Sequence, residues 1–334
     1  MHDIFQFSDE YGPKLIAAVH DPETGLKGVV VVDNVDRGPA IGGTRMAPDV
    51  SVEECFRLAR AMTFKNAAAN LPHGGGKSVI VGDPLMPLDE KEHLMRSFAR
   101  AIKDIQDYVP GPDMGTNETC MAWIKDEIGR AVGLPEENGG IPLDEIGATG
   151  LGLVAAIDVA KDFCGLNLEG ATVAIQGFGN VGAHTARFLA QKGAVLVGVC
   201  DLKGTVANPE GLDLDRLLEL KDAGKSVVEY GGSIMDKDSI IDVVCDIWVP
   251  AARPDVITQK NINRLKTRLI PEGANIPMSP ELERALHKRG VLILPDYIAN
   301  AGGVICGAVE YGGGTRSQAE AAIVETVSEN TRAI

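Results

Sequence analysis

The sequence predicts an α/β protein of two domains, one of them a Rossmann-type, doubly wound dinucleotide-binding domain. Three observations carry this. The chain has 334 residues, the length of two domains at about 150 residues each. Its second half alternates short apolar runs with helical segments, the rhythm of a mostly parallel sheet with helices on both faces. Between one such run and one such segment stands the glycine-rich turn Gly177-Phe178-Gly179-Asn180-Val181-Gly182.

In chain order, Gly28–Asp33 is a β-branched run of the kind found in buried strands. Ser51 followed by Glu54 forms a capping box that opens a helix running to about Asn70. Ser78–Pro84 reads as a strand ended by a turn, followed by helices over Leu88–Ile105 and Asn117–Ala131. The Gly- and Pro-rich segments Pro39–Gly43, Pro72–Gly76 and Pro110–Gly115 are expected to break these elements. A looser stretch, Gly133–Pro142, is the expected interdomain hinge. Beyond it come a helix over Leu151–Phe163, a strand over Thr172–Gln176, a helix over Val181–Lys192 and a strand over Val195–Cys200. The apolar runs Ile247–Val249 and Val291–Leu294 extend the sheet.

Composition excludes several classes of function. Hydrophobic residues make up 45% and charged residues 24%, a globular balance. The net charge of −15 argues against a nucleic-acid partner or an anionic membrane surface. No apolar run approaches the roughly 20 residues that span a bilayer. Met1-His2-Asp3-Ile4 has neither the basic nor the apolar region of a signal peptide, so a cytoplasmic location is expected. The six cysteines are scattered with no C-x-x-C, and the six histidines form no ligand-spaced pair, so neither disulfides nor a metal site is expected.

The glycine turn carries the sharpest local chemistry. Gly177 makes a tight turn, Gly179 lets the backbone approach a pyrophosphate, and Gly182 lets helix and strand pack closely. The helix then opening at Asn180 and Val181 offers N–H donors and a positive dipole end to phosphates. Asp201, at the end of the next strand and nineteen residues past Gly182, would accept hydrogen bonds from the adenosine ribose. Gly74-Gly75-Gly76-Lys77-Ser78 resembles the end of a phosphate-binding P-loop, but Leu71 stands where that motif needs glycine. Its lysine also leads into a strand and not a helix. Lys65, Lys77 and Asp113 each read most simply as solvated charges. Two lysines held close together would instead depress the pKa of at least one, making a usable base near neutral pH.

Taken together, these motifs resemble the glutamate, leucine, phenylalanine and valine dehydrogenases. The likeness runs from about Gly38 to Ile334 with the motifs in the family's order. Pro39–Met46 is similar to the substrate loop of leucine dehydrogenases. Met62–Ala68 and Gly74–Lys77 correspond to the segments bearing the family's two active-site lysines, and Pro112-Asp113-Met114 to the one bearing its aspartate. Ala148–Gly152, Gly273-Ala274-Asn275 and Asn300–Val304 complete the set.

The resemblance implies a substrate-binding and oligomerisation domain over residues 1–140 plus about 301–334, an NAD-binding domain over 141–300, and an active-site cleft between them. It assigns Lys65 to the substrate α-carboxylate, Lys77 to activation of water and Asp113 to proton relay. Thr149 and Asn275 fall near the nicotinamide end of the cofactor, and Asn300 is a further cofactor-binding residue. The implied reaction converts an amino acid to its 2-oxo acid and ammonium with NAD, in a homo-oligomer. Glutamate-type relatives carry a lysine where this chain has Ile41 and a serine where it has Gly307. The resemblance therefore implies an apolar substrate site formed by Ile41, Gly42, Met62, Val304 and Gly307. A glutamate-specific enzyme and a catalytically silent nucleotide-binding paralogue stand as alternatives.

Overall fold

The computed structural model describes residues 4–334. The expectation about a leader segment therefore falls largely outside the described residues. The chain divides into two compact units: one takes the residues up to Ile146 with Gly303–Ala322, the other Gly147–Gly302 with Ile323–Ile334.

The first unit opens with strands β1 (Leu15–Asp21), β2 (Leu26–Asn34) and β3 (Ala40–Ala47), then helix α1 (Val52–Ala68) and strand β4 (Gly74–Val81). Helix α2 (Leu88–Ala101), strand β5 (Tyr108–Pro112) and helix α3 (Glu118–Ile128) follow. The sheet order is β1-β2-β4-β3-β5. β2 runs antiparallel to β1 and β4, while β3 runs parallel to β4 and β5. Alternation along β2 sorts the two faces, since successive side chains of a strand point to opposite sides. Val30 and Val32 join Met46 and Ile80 against Met95, Phe98, Met121 and Ile124 of α2 and α3. Val31 and Val79 on the other face pack against Cys55 and Ala59 of α1.

Three expected breaks prove to be largely strand. Ala40–Gly43 belongs to β3, Gly74–Gly76 opens β4, and Pro110 and Pro112 lie within β5. The glycines are there because backbones touch: a methyl group on Gly42 would stand 1.7 Å from the Gly76 carbonyl oxygen. β5 is an edge strand, where proline's missing N–H leaves no ladder bond unmade. Two helices of this unit stop at least three residues short of their predicted ends. α2 stops at Ala101, and α3 stops at Ile128 because Gly129 turns left-handed (φ 73°) and returns its N–H to the Lys125 carbonyl.

The second unit contains α4 (Ala148–Ala160), β6 (Thr172–Gln176), α5 (Asn180–Ala190), β7 (Val195–Cys200), β8 (Thr205–Ala207) and α6 (Leu214–Asp222). It continues with β9 (Ile234–Met235), β10 (Ile247–Pro250), β11 (Leu269–Pro271), α7 (Pro280–Lys288), β12 (Leu292–Leu294) and α8 (Asp296–Ala299). The sheet order is β12-β11-β10-β6-β7-β8-β9, parallel from β12 to β7 with an antiparallel edge. This is the doubly wound arrangement the sequence predicts, and β6 and β7 have their predicted limits. β12 falls within the predicted run Val291–Leu294, whereas α6, α7, β8 and β11 went unpredicted, being too short for either period to register.

Two last helices are α9 (Gly302–Tyr311) and α10 (Arg316–Ala333). Within the first unit, the Glu310 carboxylate of α9 accepts the backbone N–H groups of Leu134 (3.3 Å) and Ile141 (2.8 Å). That pins the loose Gly133–Pro142 segment to the helix that bears Gly307. Among the described residues, no helix is long and apolar enough to cross a membrane.

Candidate active site

Lys77 lies in the middle of β4 with 2% of its surface exposed. Its Nζ is 3.1 Å from Asp113 Oδ2. Asp113 stands just past the end of β5. The Thr116 hydroxyl fixes it there, accepting the Asp113 N–H (3.0 Å) and donating to the Thr44 carbonyl (2.8 Å). Gly43 makes room for the pair, since a methyl group at 43 would stand 2.7 Å from Asp113 Cβ and 3.1 Å from Lys77 Nζ.

A second cation shares that oxygen. Arg45 Nε donates to Asp113 Oδ2 at 2.8 Å, and Arg45 Nη1 donates to Glu54 Oε1 at 2.5 Å. Burial drives the Lys77 pKa down and Arg45 adds to this; Asp113 opposes them without restoring the ordinary lysine value. Burial alone would raise the Asp113 pKa, but Lys77 and Arg45 overrule it and hold the carboxylate well below its usual range. The Cys55 thiol beneath Lys77 is pushed up to about 12 by burial, so it stays neutral and takes no part as a thiolate. The arrangement thus holds an ionised carboxylate against an amine whose deprotonation is made easier.

Lys65, 4% exposed, lies in the last turn of α1. That turn is seated by Asn66, whose Nδ2 donates to the carbonyls of Gly74 (2.6 Å) and Ile41 (3.4 Å) at the starts of β4 and β3. Ile41 packs in an apolar cluster with Val109 and Val132. Gly307 of α9 faces the same Val132, with a methyl group at 307 placed 3.3 Å from Val132 Cγ2. Met62 is buried one turn before Lys65, and Val304 is half-buried one turn before Gly307. The structure therefore brings Ile41 and Gly307 to one apolar surface and Lys77 and Asp113 to one ion pair.

In the second unit the three glycines occupy the predicted geometry. Gly177 has φ 100°, which a side chain resists, and Gly182 approaches it so closely that a methyl group would stand 2.0 Å from the Gly177 carbonyl oxygen. Around Gly179 nothing lies within 4 Å of such a methyl, leaving the open approach a pyrophosphate needs. Asn180 opens α5, with Val181 next to it in the first turn. Thr149 lies in the first turn of α4. Asn300 donates from Nδ2 to the Gly273 carbonyl and to Asn275 Oδ1, both at 3.2 Å, and its Oδ1 is buried with no hydrogen-bond partner. A buried acceptor without a donor fits a carboxamide N–H, and with the cradle at Gly179 these residues suit a nicotinamide dinucleotide.

Asp201 is more heavily engaged than the sequence suggests. Oδ2 accepts from the Ser226 hydroxyl (2.6 Å) and the Val227 N–H (2.8 Å), and Oδ1 from the N–H groups of Lys203 (2.8 Å) and Gly204 (3.3 Å). Burial would raise its pKa, but these donors lower it, so the charge persists. Sequence reasoning gave no part in the site to Arg45, Ser226 or Lys221, whose Nζ is 3.2 Å from Asn180 Oδ1, and gave Glu54 only a helix-capping role. Only Arg45 carried a signal, as the one charge within Ala40–Ala47.

A buried lysine–aspartate pair in one unit and a glycine turn shaped for a dinucleotide in the other are the parts that an oxidoreductase acting on amino acids would use. Residues 13–130 match the Glu/Leu/Phe/Val dehydrogenase dimerisation domain, and residues 139–332 match Glutamate/Leucine/Phenylalanine/Valine dehydrogenase. The chain belongs to this family and is an amino-acid dehydrogenase. An NAD-specific glutamate dehydrogenase of Staphylococcus aureus is 40% identical over 280 residues, 80% of this chain and 67% of that one. The hetero-hexameric glutamate dehydrogenase of Thermus thermophilus, solved in a Leu-bound form, superposes with a TM-score of 0.89 at 28% identity, covering 96% of this chain and 82% of that one. The L-tryptophan dehydrogenase of Nostoc punctiforme superposes with a TM-score of 0.66 at 26% identity, covering 96% and 88%.

Proposed function

We propose that this protein catalyses the NAD-dependent, reversible oxidative deamination of an apolar L-amino acid to its 2-oxo acid and ammonium. The observation that carries the substrate reading is the uncharged surface of Ile41, Val109 and Val132 with Gly307 against it. A substrate carboxylate buried there would lose its hydration with no partner to replace it, a heavy cost. Met62 and Val304 extend the same apolar character.

The nicotinamide ring supplies the acceptor for the hydride from Cα. In this reading Lys65 binds the substrate α-carboxylate. Lys77, unprotonated, takes a proton from the water that adds to the resulting iminium carbon. Asp113 carries protons to and from the substrate nitrogen as the carbinolamine collapses and ammonia leaves. Gly177, Gly179, Asn180, Val181 and Gly182 hold the pyrophosphate, and Thr149, Asn275 and Asn300 hold the nicotinamide end. NAD is the assigned cofactor: the ionised Asp201 would repel a 2′-phosphate, and the Staphylococcus aureus relative is NAD-specific.

A second reading, glutamate as substrate, is favoured by the activity of the Staphylococcus aureus and Thermus thermophilus relatives. The two part in a panel of kcat/KM values for leucine, valine, phenylalanine, methionine and glutamate measured under one condition. Glutamate as the best substrate would overturn the apolar reading. The match of residues 13–130 to a dimerisation domain supports a homo-oligomer. Sedimentation showing only monomer at micromolar concentration would refute it.

A further inference from the structure

Glu54 is the third residue of α1, where Ser51 caps the helix by accepting the Glu54 N–H at 3.1 Å. In a capping box its carboxylate would turn back to the Ser51 N–H. Here it reaches Arg45 instead, at 2.5 Å. Arg45, with 5% of its surface exposed, thus stands between two carboxylates, one on the protein's flank and one in the candidate active site. The inner carboxylate is the oxygen that Lys77 also meets.

We propose that Arg45 is a positioning residue for the Lys77–Asp113 pair, and that Glu54 sets how much of Arg45's charge that pair feels. The proposal rests on the reading of Lys77 as the base. Arg45 cannot lose its proton in any working range of pH, so it is a fixed charge. Asp113 Oδ2 is held by two cations, which leaves Oδ1 as the oxygen able to exchange protons with a substrate. Glu54, whose side chain is 29% exposed, partly cancels the Arg45 charge from outside. The charged and titratable groups that act on Lys77 are Asp113 beyond β5, Arg45 on β3 and Cys55 on α1, while Glu54 on α1 acts on Arg45. Tyr108 on β5 is held un-ionised by burial, and Cys55 is neutral. The balance at Lys77 is therefore between Asp113 on one side and Arg45 less Glu54 on the other.

Opposite signs follow. Glu54→Gln uncovers the Arg45 charge and makes Lys77 easier to deprotonate. Arg45→Gln removes that charge and makes Lys77 harder to deprotonate. The titration of Lys77 can be followed without turnover, by NMR of the full-length protein carrying 13C-labelled lysine, with Lys77→Ala assigning the resonance. The expected result is a midpoint lowered by about half a pH unit in Glu54→Gln and raised by at least as much in Arg45→Gln. The acid limb of the kcat/KM profile should move in the same directions. A structural role alone would lower rates without opposed shifts. If Arg45→Gln does not fold, Glu54→Gln still decides: an unchanged or raised midpoint overturns the proposal. Turnover of Lys77→Ala is read separately, and near-normal turnover there refutes the base assignment whatever the midpoints do.

Discussion

Gly307 faces Val132 so closely that a side chain at 307 would begin 3.3 Å from Val132 Cγ2. Val132 in turn packs with Ile41. Glycine at 307 therefore leaves the apolar surface wide, and filling it should narrow the range of substrates. Gly307→Val is expected to depress kcat/KM for phenylalanine and methionine more than for valine. A methylene in such a site is worth about 1–3 kcal/mol, so the ratio should move by roughly 10- to 200-fold. The same amino-acid panel checks it, and an unchanged ratio would remove Gly307 from the site.

Charge at position 41 should act in the other direction. Ile41→Lys, combined with Gly307→Ser, puts a cation and a hydroxyl where the resemblance places them in glutamate-type relatives. Glutamate turnover is expected to rise and leucine turnover to fall. Measuring both with the double variant tests this; a parallel loss of both activities would mean that residue 41 is not at the side-chain end of the substrate.

Lys77→Ala removes the amine paired with Asp113 but touches none of the dinucleotide cradle. Turnover should fall by about 10²–10⁴, while the Kd for NAD, read by fluorescence titration, stays the same. Lys65→Ala should instead chiefly raise KM for the amino acid.

Asp201 accepts four hydrogen bonds from its own chain and remains ionised. Its negative charge should disfavour NADP. Asp201→Asn is expected to narrow the gap in kcat/KM between NAD and NADP. Equal efficiency of the two cofactors with the unaltered protein would contradict the assignment.

Glu272 bears on stability. It is 1% exposed, its Oε2 accepts the Asp296 N–H at 2.9 Å, and its Oε1 has no partner. Burial first, then the charges of Asp296 and Glu283, push its pKa well above the ordinary carboxylate value. A carboxyl raised in the folded state binds its proton more tightly there than when unfolded. Its contribution is thus fully present below the unfolded pKa and is lost as pH rises towards the folded one. Glu272→Gln, which cannot ionise, should match the unaltered protein in Tm near pH 4 and exceed it near pH 8. Thermal melts across that range decide, and a gap that shrinks with rising pH would reverse the sign.

Much of this protein was legible in one dimension. The fingerprint at Gly177–Gly182 is local, because strand, turn and helix follow one another in sequence and each glycine answers to a neighbour only a few residues away. β6 and β7 could be bounded for the same reason, as apolar runs closed by polar or glycine residues. By resemblance, the identities at positions 41 and 307 imply a substrate site without the usual partners of a glutamate side chain, which the amino-acid panel tests. Other features depend on contacts between distant residues. Gly42 is a strand residue because Gly76, thirty-four positions away, presses against it. Arg45 gathers Glu54 from nine positions and Asp113 from sixty-eight positions further along the chain, and Asp201 is occupied by Ser226. Periodicity and propensity describe a residue's neighbours in sequence. Whether a charge is buried, and which charges surround it, is decided by the sheet that stacks β3 against β4 and β5, and so only the tertiary structure could show that the lysine of a glycine-rich strand sits against an aspartate held by an arginine.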